Sequence, residues 1–159
     1  MKGLLDSQDS GSDDLDFLEE TEHALTRHDV PLLLLSQNQI EAIRALGEIS
    51  KLPQNWDSYG SRPPTGLAID LVIGVLTKID DPRLQAARVV PTSGGGVQLE
   101  WSNGSQGFQL EVLGEGSAEY LRLDDNRPTE EGSISPTDYD RIRSLLHGTI
   151  FQVAERQAA

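Results

Sequence analysis

Apolar residues recur along this chain at two different periods, and the change from one to the other divides it into helical and sheet-forming halves. Ile40, Ile43, Leu46 and Ile49 share one helical face. Ser36-Gln37-Asn38-Gln39 just before them has capping-box spacing: the Ser36 hydroxyl accepts from the third-residue amide while the Gln39 side chain reaches back. This predicts a helix over 37–50. Ala68, Leu71, Val72, Val75, Leu76 and Ile79 repeat the helical interval between Pro64 and Asp80-Asp81-Pro82, predicting a second helix over 65–79. The period then becomes two. Val97, Leu99 and Trp101 alternate with Gln98 and Glu100, and Phe108, Leu110 and Val112 alternate with Gln109 and Glu111. Asn103-Gly104 between them reads as a two-residue hairpin turn, which sets Leu99 opposite Phe108 and Val97 opposite Leu110, with every apolar side chain on one face.

The flanks extend this sheet. Arg88-Val89-Val90-Pro91 reads as a short edge strand because Pro91 has no amide donor, and Gly94-Gly95-Gly96 supplies the turn after it. A three-residue loop at Gly114-Glu115-Gly116 sets Tyr120 against Leu110 and Ala118 against Val112. Leu121 and Leu123 then face the other side with Leu113, either under the N-terminal segment or as a small exposed patch. Residues 124–131 read as an acidic loop. Ser135-Pro136-Thr137-Asp138 reads as an N-cap with proline at the first helical position and an acid at the third, opening a closing helix from 136 to about 147, or as far as Val153, that carries Tyr139, Ile142, Leu145 and Leu146. The expected fold class is α+β: a small antiparallel meander of three to four strands packed by about three helices, with a disordered acidic N-terminal tail. The expected division is a tail over 1–35, with one short helix possible, and a single domain over 36–153.

Charge sharpens the picture of the tail. Residues 1–29 hold nine carboxylates against Lys2 and Arg27, within a 159-residue chain of net charge −13. Leu15, Phe17, Leu18, Ala24 and Leu25 give it a loose helical spacing, read either as a short helix that orders only against another surface or as one frayed helical turn of a solvated tail. Leu32 to Leu35, after Pro31, read as core or as a strand-like lead-in. With only 13 Lys and Arg, the chain is not expected to bind nucleic acid directly, since that affinity comes from cations displacing counterions. The absence of cysteine removes disulfides, thiolate catalysis and Cys-bound zinc. No apolar run is long enough for a membrane span and no signal-peptide pattern opens the chain, so a cytoplasmic protein without membrane contact is expected.

Candidate chemistry is sparse. His23 and His28 lie in or beside the acidic tail, and His147 lies near a helix end, so all three read as surface or capping residues. Gly104-Ser105-Gln106-Gly107 and Gly114-Glu115-Gly116-Ser117 match no nucleophile elbow, P-loop or dinucleotide fingerprint. Asp124, Asp125, Glu130 and Glu131 lack the alternating spacing and central glycine of a calcium loop, so neither a metal nor a cofactor is expected. The stretch from Leu52 to Pro64 is a structured turn region in which Trp56, Asp57 and Tyr59 stand out. Trp and Tyr are enriched at binding hot spots, whereas a purely structural role has Trp56 plugging the core edge, Asp57 bonding turn amides and Gly60 at positive φ.

Leu52-Pro53-Gln54-Asn55-Trp56-Asp57, Pro63-Pro64, and Val90 to Trp101 together resemble a pattern in a group of small bacterial proteins that have no established activity. The resemblance covers about residues 40–123. It implies a bacterial origin and a shared fold, and carries over no catalytic or binding residue.

These features lead to the expectation of a non-catalytic partner-binding protein, antitoxin- or immunity-like or a regulatory adaptor, that engages a basic protein through its acidic N-terminal segment. Its contact residues would be Leu15, Phe17, Leu18, Trp56, Asp57 and Tyr59. One alternative is a DNA-mimic inhibitor of a nucleic-acid-binding protein. Another is a small enzyme with its site near the Trp56–Tyr59 loop, which requires a concave pocket beside Trp56 and a strongly shifted carboxylate.

Overall fold

The computed structural model describes residues 34–152. Helix α1 (Gln37–Ser50) begins at the capping box: the Ser36 hydroxyl accepts from the Gln39 amide at 3.2 Å and the Ser36 amide donates to Gln39 Oε1 at 2.8 Å. Helix α2 (Gly66–Lys78) is capped by Thr65, whose hydroxyl accepts from the Ala68 amide. Five antiparallel strands follow in sequence order, β1 (Arg88–Pro91), β2 (Val97–Asn103), β3 (Gln106–Val112), β4 (Ala118–Asp124) and β5 (Arg127–Ile134), and helix α3 (Tyr139–Ile150) closes the fold. All three helices pack on one face of the sheet. Val97, Leu99, Trp101, Phe108, Leu110, Val112, Ala118 and Tyr120 are buried there against Leu46, Val72, Val75, Ile142 and Leu146. Trp101, Phe108 and Tyr120 form a ladder of rings across β2, β3 and β4, with centroids 6.1 and 6.2 Å apart.

The α+β class holds, but the sheet has five strands rather than three or four. The expected acidic loop over 124–131 is in fact the end of β4, a two-residue turn and most of β5. Asp125 and Asn126 both take positive φ, 52° and 57°, the backbone of a type I′ hairpin turn. β5 escapes the period-two test because it is an exposed edge strand with only Ile134 buried, so no alternation of apolar residues marks it.

Two local expectations also shift. The β2–β3 turn residues are Gly104 and Ser105, with Asn103 paired to Gln106, so Leu99 faces Leu110 and Val97 faces Val112. Gly104 takes the first turn position at φ 60°, and Asn103 stays in the strand, its side-chain amide donating to the Ile150 carbonyl at the end of α3. Relative to the expected pairing each strand is offset by one residue in opposite senses, so the buried face is unchanged. The β3–β4 register is as expected, Tyr120 against Leu110 and Ala118 against Val112. Helix α3 starts three residues later than expected and is capped by Asp138, whose carboxylate accepts from the Arg141 amide. Ser135 to Asp138 instead close a turn with Pro136 in its second position.

Leu15, Phe17, Leu18 and the proposed short helix of the acidic tail lie outside the described residues, as do Leu32 and Leu33. Leu35 packs against the core and Leu34 is exposed.

Candidate functional site

The Trp56–Gly60 loop is held by hydrogen bonds at nearly every position. The Asp57 carboxylate accepts from the Tyr59 amide at 2.9 Å, the Ser61 amide at 3.2 Å and the Ser61 hydroxyl. Asn55 Oδ1 accepts from the Gly60 amide, the Asn55 amide donates to the Ser61 carbonyl, and Trp56 Nε1 donates to the Arg62 carbonyl at 3.1 Å. These bonds hold Asn55 and Ser58 at φ 62° and 65°, uncommon for residues with side chains. The hydrogen bond from the Ser61 hydroxyl, then that from the Tyr59 amide, keeps the Asp57 carboxyl below its ordinary pKa. Trp56 is half-buried at the loop base. Tyr59 is 92% exposed at the tip.

This loop docks on the β1–β2 turn. The Arg62 amide donates to the Ser93 carbonyl, Arg62 bridges Gly94, and the Thr65 amide donates to the Gly95 carbonyl at 2.9 Å. The β3–β4 turn closes on the same point, with Thr65 Oγ1 donating to the Gly114 carbonyl. A Cβ on Gly114 would stand 2.6 Å from the Gly94 carbonyl oxygen, so backbone meets backbone there and only glycine fits. Gly94-Gly95-Gly96 thus serves close packing between loops that are far apart in sequence.

The second surface is the face of the sheet opposite the helices, on which no described element packs. The strand registers place three rows of side chains on it, a short one of Ser102, Gly107, Leu123 and Pro128 and two that carry charge. One runs Val90, Gln98, Glu111, Glu119, Ser133; the other runs Arg88, Glu100, Gln109, Leu121, Glu131. Arg88 pairs with Glu100 at 3.0 Å. Glu111, Glu119 and Glu131 have no cationic partner among the described residues, and Glu111 stands directly opposite Glu119. Like charges in that position repel, destabilising the pair by about 0.2–1 kcal/mol. Gln98, Gln109, Glu111, Glu119, Leu121 and Glu131 line a shallow hollow of about 370 Å³ that takes no residue from the Trp56 loop. Leu121 and Leu123, the expected apolar patch, are half-buried, with Leu123 lying over Gly107.

The acidic face was readable in part. The polar members of the alternation, Gln98, Glu100, Gln109, Glu111 and Glu119, include no Lys or Arg, a bias visible without coordinates. Glu131 was not readable, because its strand went unrecognised.

Elsewhere, charged groups serve the fold. Arg122 points to the helix side, bonding Thr149 Oγ1 and Glu130, while Tyr120 donates to Glu130 at 2.8 Å. His147 stands in the last turn of α3, near the helix end as expected, but most of its side chain is covered. Its side chain is 29% exposed, packs against Phe151 and places Nε2 3.4 Å from Asp81 Oδ2. Burial lowers its pKa, partly opposed by the Asp81 charge, and the Arg83 guanidinium bonded to Asp81 holds that carboxyl at about 2. Among the described residues no three acidic or histidine side chains converge as metal ligands, and no helix is long and apolar enough to cross a membrane.

Comparison with known proteins gives no matching family model, no similar curated protein and no similar solved structure. What the chain does has to be inferred from its own surfaces.

Proposed function

We propose that this chain is a non-catalytic partner-binding protein, of the antitoxin, immunity or regulatory-adaptor kind, that engages a basic protein surface. One observation carries the reading. Glu111 and Glu119 are set opposite each other on a sheet face that no described element covers, with Glu131 beside them and no described cation to neutralise them. A folding sequence gains nothing from that arrangement, whereas a Lys- or Arg-bearing partner would relieve its repulsion. The acidic N-terminal segment adds carboxylates of the same sign, with Leu15, Phe17 and Leu18 as apolar contacts. Tyr59, held out on a loop already ordered before binding, is suited to act as an aromatic anchor with Trp56 and Asp57 supporting it from below.

The arrangement of Asp57 supports this reading over an acid–base site beside Trp56. Its carboxyl is lowered rather than raised and both oxygens accept local hydrogen bonds. The test is capture from the native host at near-endogenous expression with three full-length baits: the natural chain, Leu15/Phe17/Leu18→Ala, and Glu111→Gln with Glu119→Gln. A stoichiometric partner that salt releases and that either variant retains poorly is the expected result. A natural chain that retains no stoichiometric partner overturns the reading. A partner displaced by duplex DNA would instead identify the DNA-mimic form of the same electrostatics.

A further inference from the structure

We infer that β5 is a docking edge, to which an extended, basic segment of the partner adds as a sixth antiparallel or parallel strand. The inference rests on the proposed basic partner and says how that partner is held.

β5 pairs with β4 alone among the described residues, so its outer backbone edge is an open row of donors and acceptors. Seven of its eight residues are exposed or half-exposed. Regular pairing with β4 runs from Glu130 to Ile134, a length ordinary for one strand of a sheet. The irregularity lies before it, where the register shifts between Arg122 and Leu123 and Pro128 removes a donor. The strand is therefore blocked at its start and open over its second half.

Charge selects the occupant. Glu130 and Glu131 lie within the open stretch, and Glu131 shares the outer face of the sheet with Glu119. A second copy pairing edge to edge would bring these carboxylates together. The chain's own N-terminal segment has nine carboxylates against two cations over residues 1–29 and carries the same sign. A Lys- or Arg-bearing segment gains main-chain hydrogen bonds from the edge and a cation opposite Glu131, so one arrangement both rejects self-pairing and accepts a basic strand.

The probe is a nine-residue peptide alternating Lys and Val, with the Glu/Val peptide as its control, added to the isotopically labelled full chain at low salt. The expected result is binding of the Lys peptide alone, weakened by salt, with amide exchange slowed at least tenfold within residues 130–134. Glu131→Lys, a change at an exposed side chain, should weaken that binding at least fivefold with the fold intact by circular dichroism. Binding that perturbs Glu111 and Glu119 while leaving the β5 amides unchanged overturns the docking edge and leaves the basic-partner reading standing. Slow exchange of the outward β5 amides before any peptide is added, from the chain's own termini or a second copy, also overturns it. Absence of binding by either peptide counts against both readings.

Discussion

Tyr120 depends on a residue with no side chain. In the β4–β5 register it faces Gly132, and a Cβ there would stand 3.1 Å from the ring carbon Cε1 and 3.2 Å from the phenol oxygen. The ring occupies that space, stacks with Phe108 and donates to Glu130. Gly132→Val should displace the ring and its hydrogen bond, destabilising the fold by about 1–3 kcal/mol in urea unfolding. A variant with unchanged stability would show that the glycine does not serve Tyr120. A second residue-scale expectation concerns acid. Asp81 has a folded pKa of about 2 against an ordinary 3.8, so its contribution is complete above about pH 4 and is lost as pH falls towards 2. His147 is lowered from 6.5, which favours the neutral ring in the fold; its contribution is complete above 6.5 and declines as pH falls through its folded value. His147→Gln should therefore flatten the weakly acidic part of a melting-temperature profile, and Asp81→Asn the strongly acidic part. Two variants with profiles parallel to the natural chain would show that neither group is linked to folding.

At the scale of elements, Gln39 does two tasks at the start of α1. Its Oε1 accepts from the Ser36 amide, and its Nε2 donates to the Leu76 carbonyl at 2.8 Å, tying α1 to the end of α2. Ser36→Ala removes one side of the cap and should cost about 1 kcal/mol. Gln39→Glu keeps the acceptor but turns a buried donor into a carboxylate facing carbonyls, so it should cost more, about 1–3 kcal/mol in the same assay. Equal losses would show that the Leu76 bond contributes nothing. The cap was legible because it is local, with Ser36 and Gln39 three residues apart. The strands around Phe108 and Leu110 and their buried face were legible from alternation, but the β2–β3 turn was not, because Asn103 stays in the strand and Gly104-Ser105 make the turn. β5 was not: its residues face solvent and its type I′ turn is made by Asp125-Asn126 rather than by a residue pair containing glycine. The start of α3 was misplaced because Ser135 and Asp138 are both good caps, and Pro136 fits a turn as readily as a first helical turn. The Trp56 loop was legible in its bonding, since an aspartate among turn residues has amides nearby to accept from, but the exposure of Tyr59 depends on how the loop docks against Ser93 and Gly94.

Among the described residues, the two faces of the sheet differ in kind. Helices and core occupy one face of the sheet, and the other carries Glu100, Glu111, Glu119 and Glu131 with Arg88 as the one opposing charge in their two rows. In a chain of net charge −13 those glutamates repel each other and the rest of the protein. If the face exists to bind, stability and binding must respond oppositely to neutralising it. Glu119→Gln should raise stability by a few tenths to about 1 kcal/mol at low salt, since it removes the charge opposite Glu111. The gain should shrink as ionic strength rises towards 1 M, where the screening length falls to about 3 Å. The same variant should lose affinity for the partner, and most strongly at low salt. Unfolding and binding measured on one preparation across a salt series separate the two effects. A variant that is more stable and binds as well as the natural chain would leave the like-charge pair without a binding role. A variant that is less stable would mean that Glu119 contributes to the fold through a contact that outweighs its repulsion from Glu111.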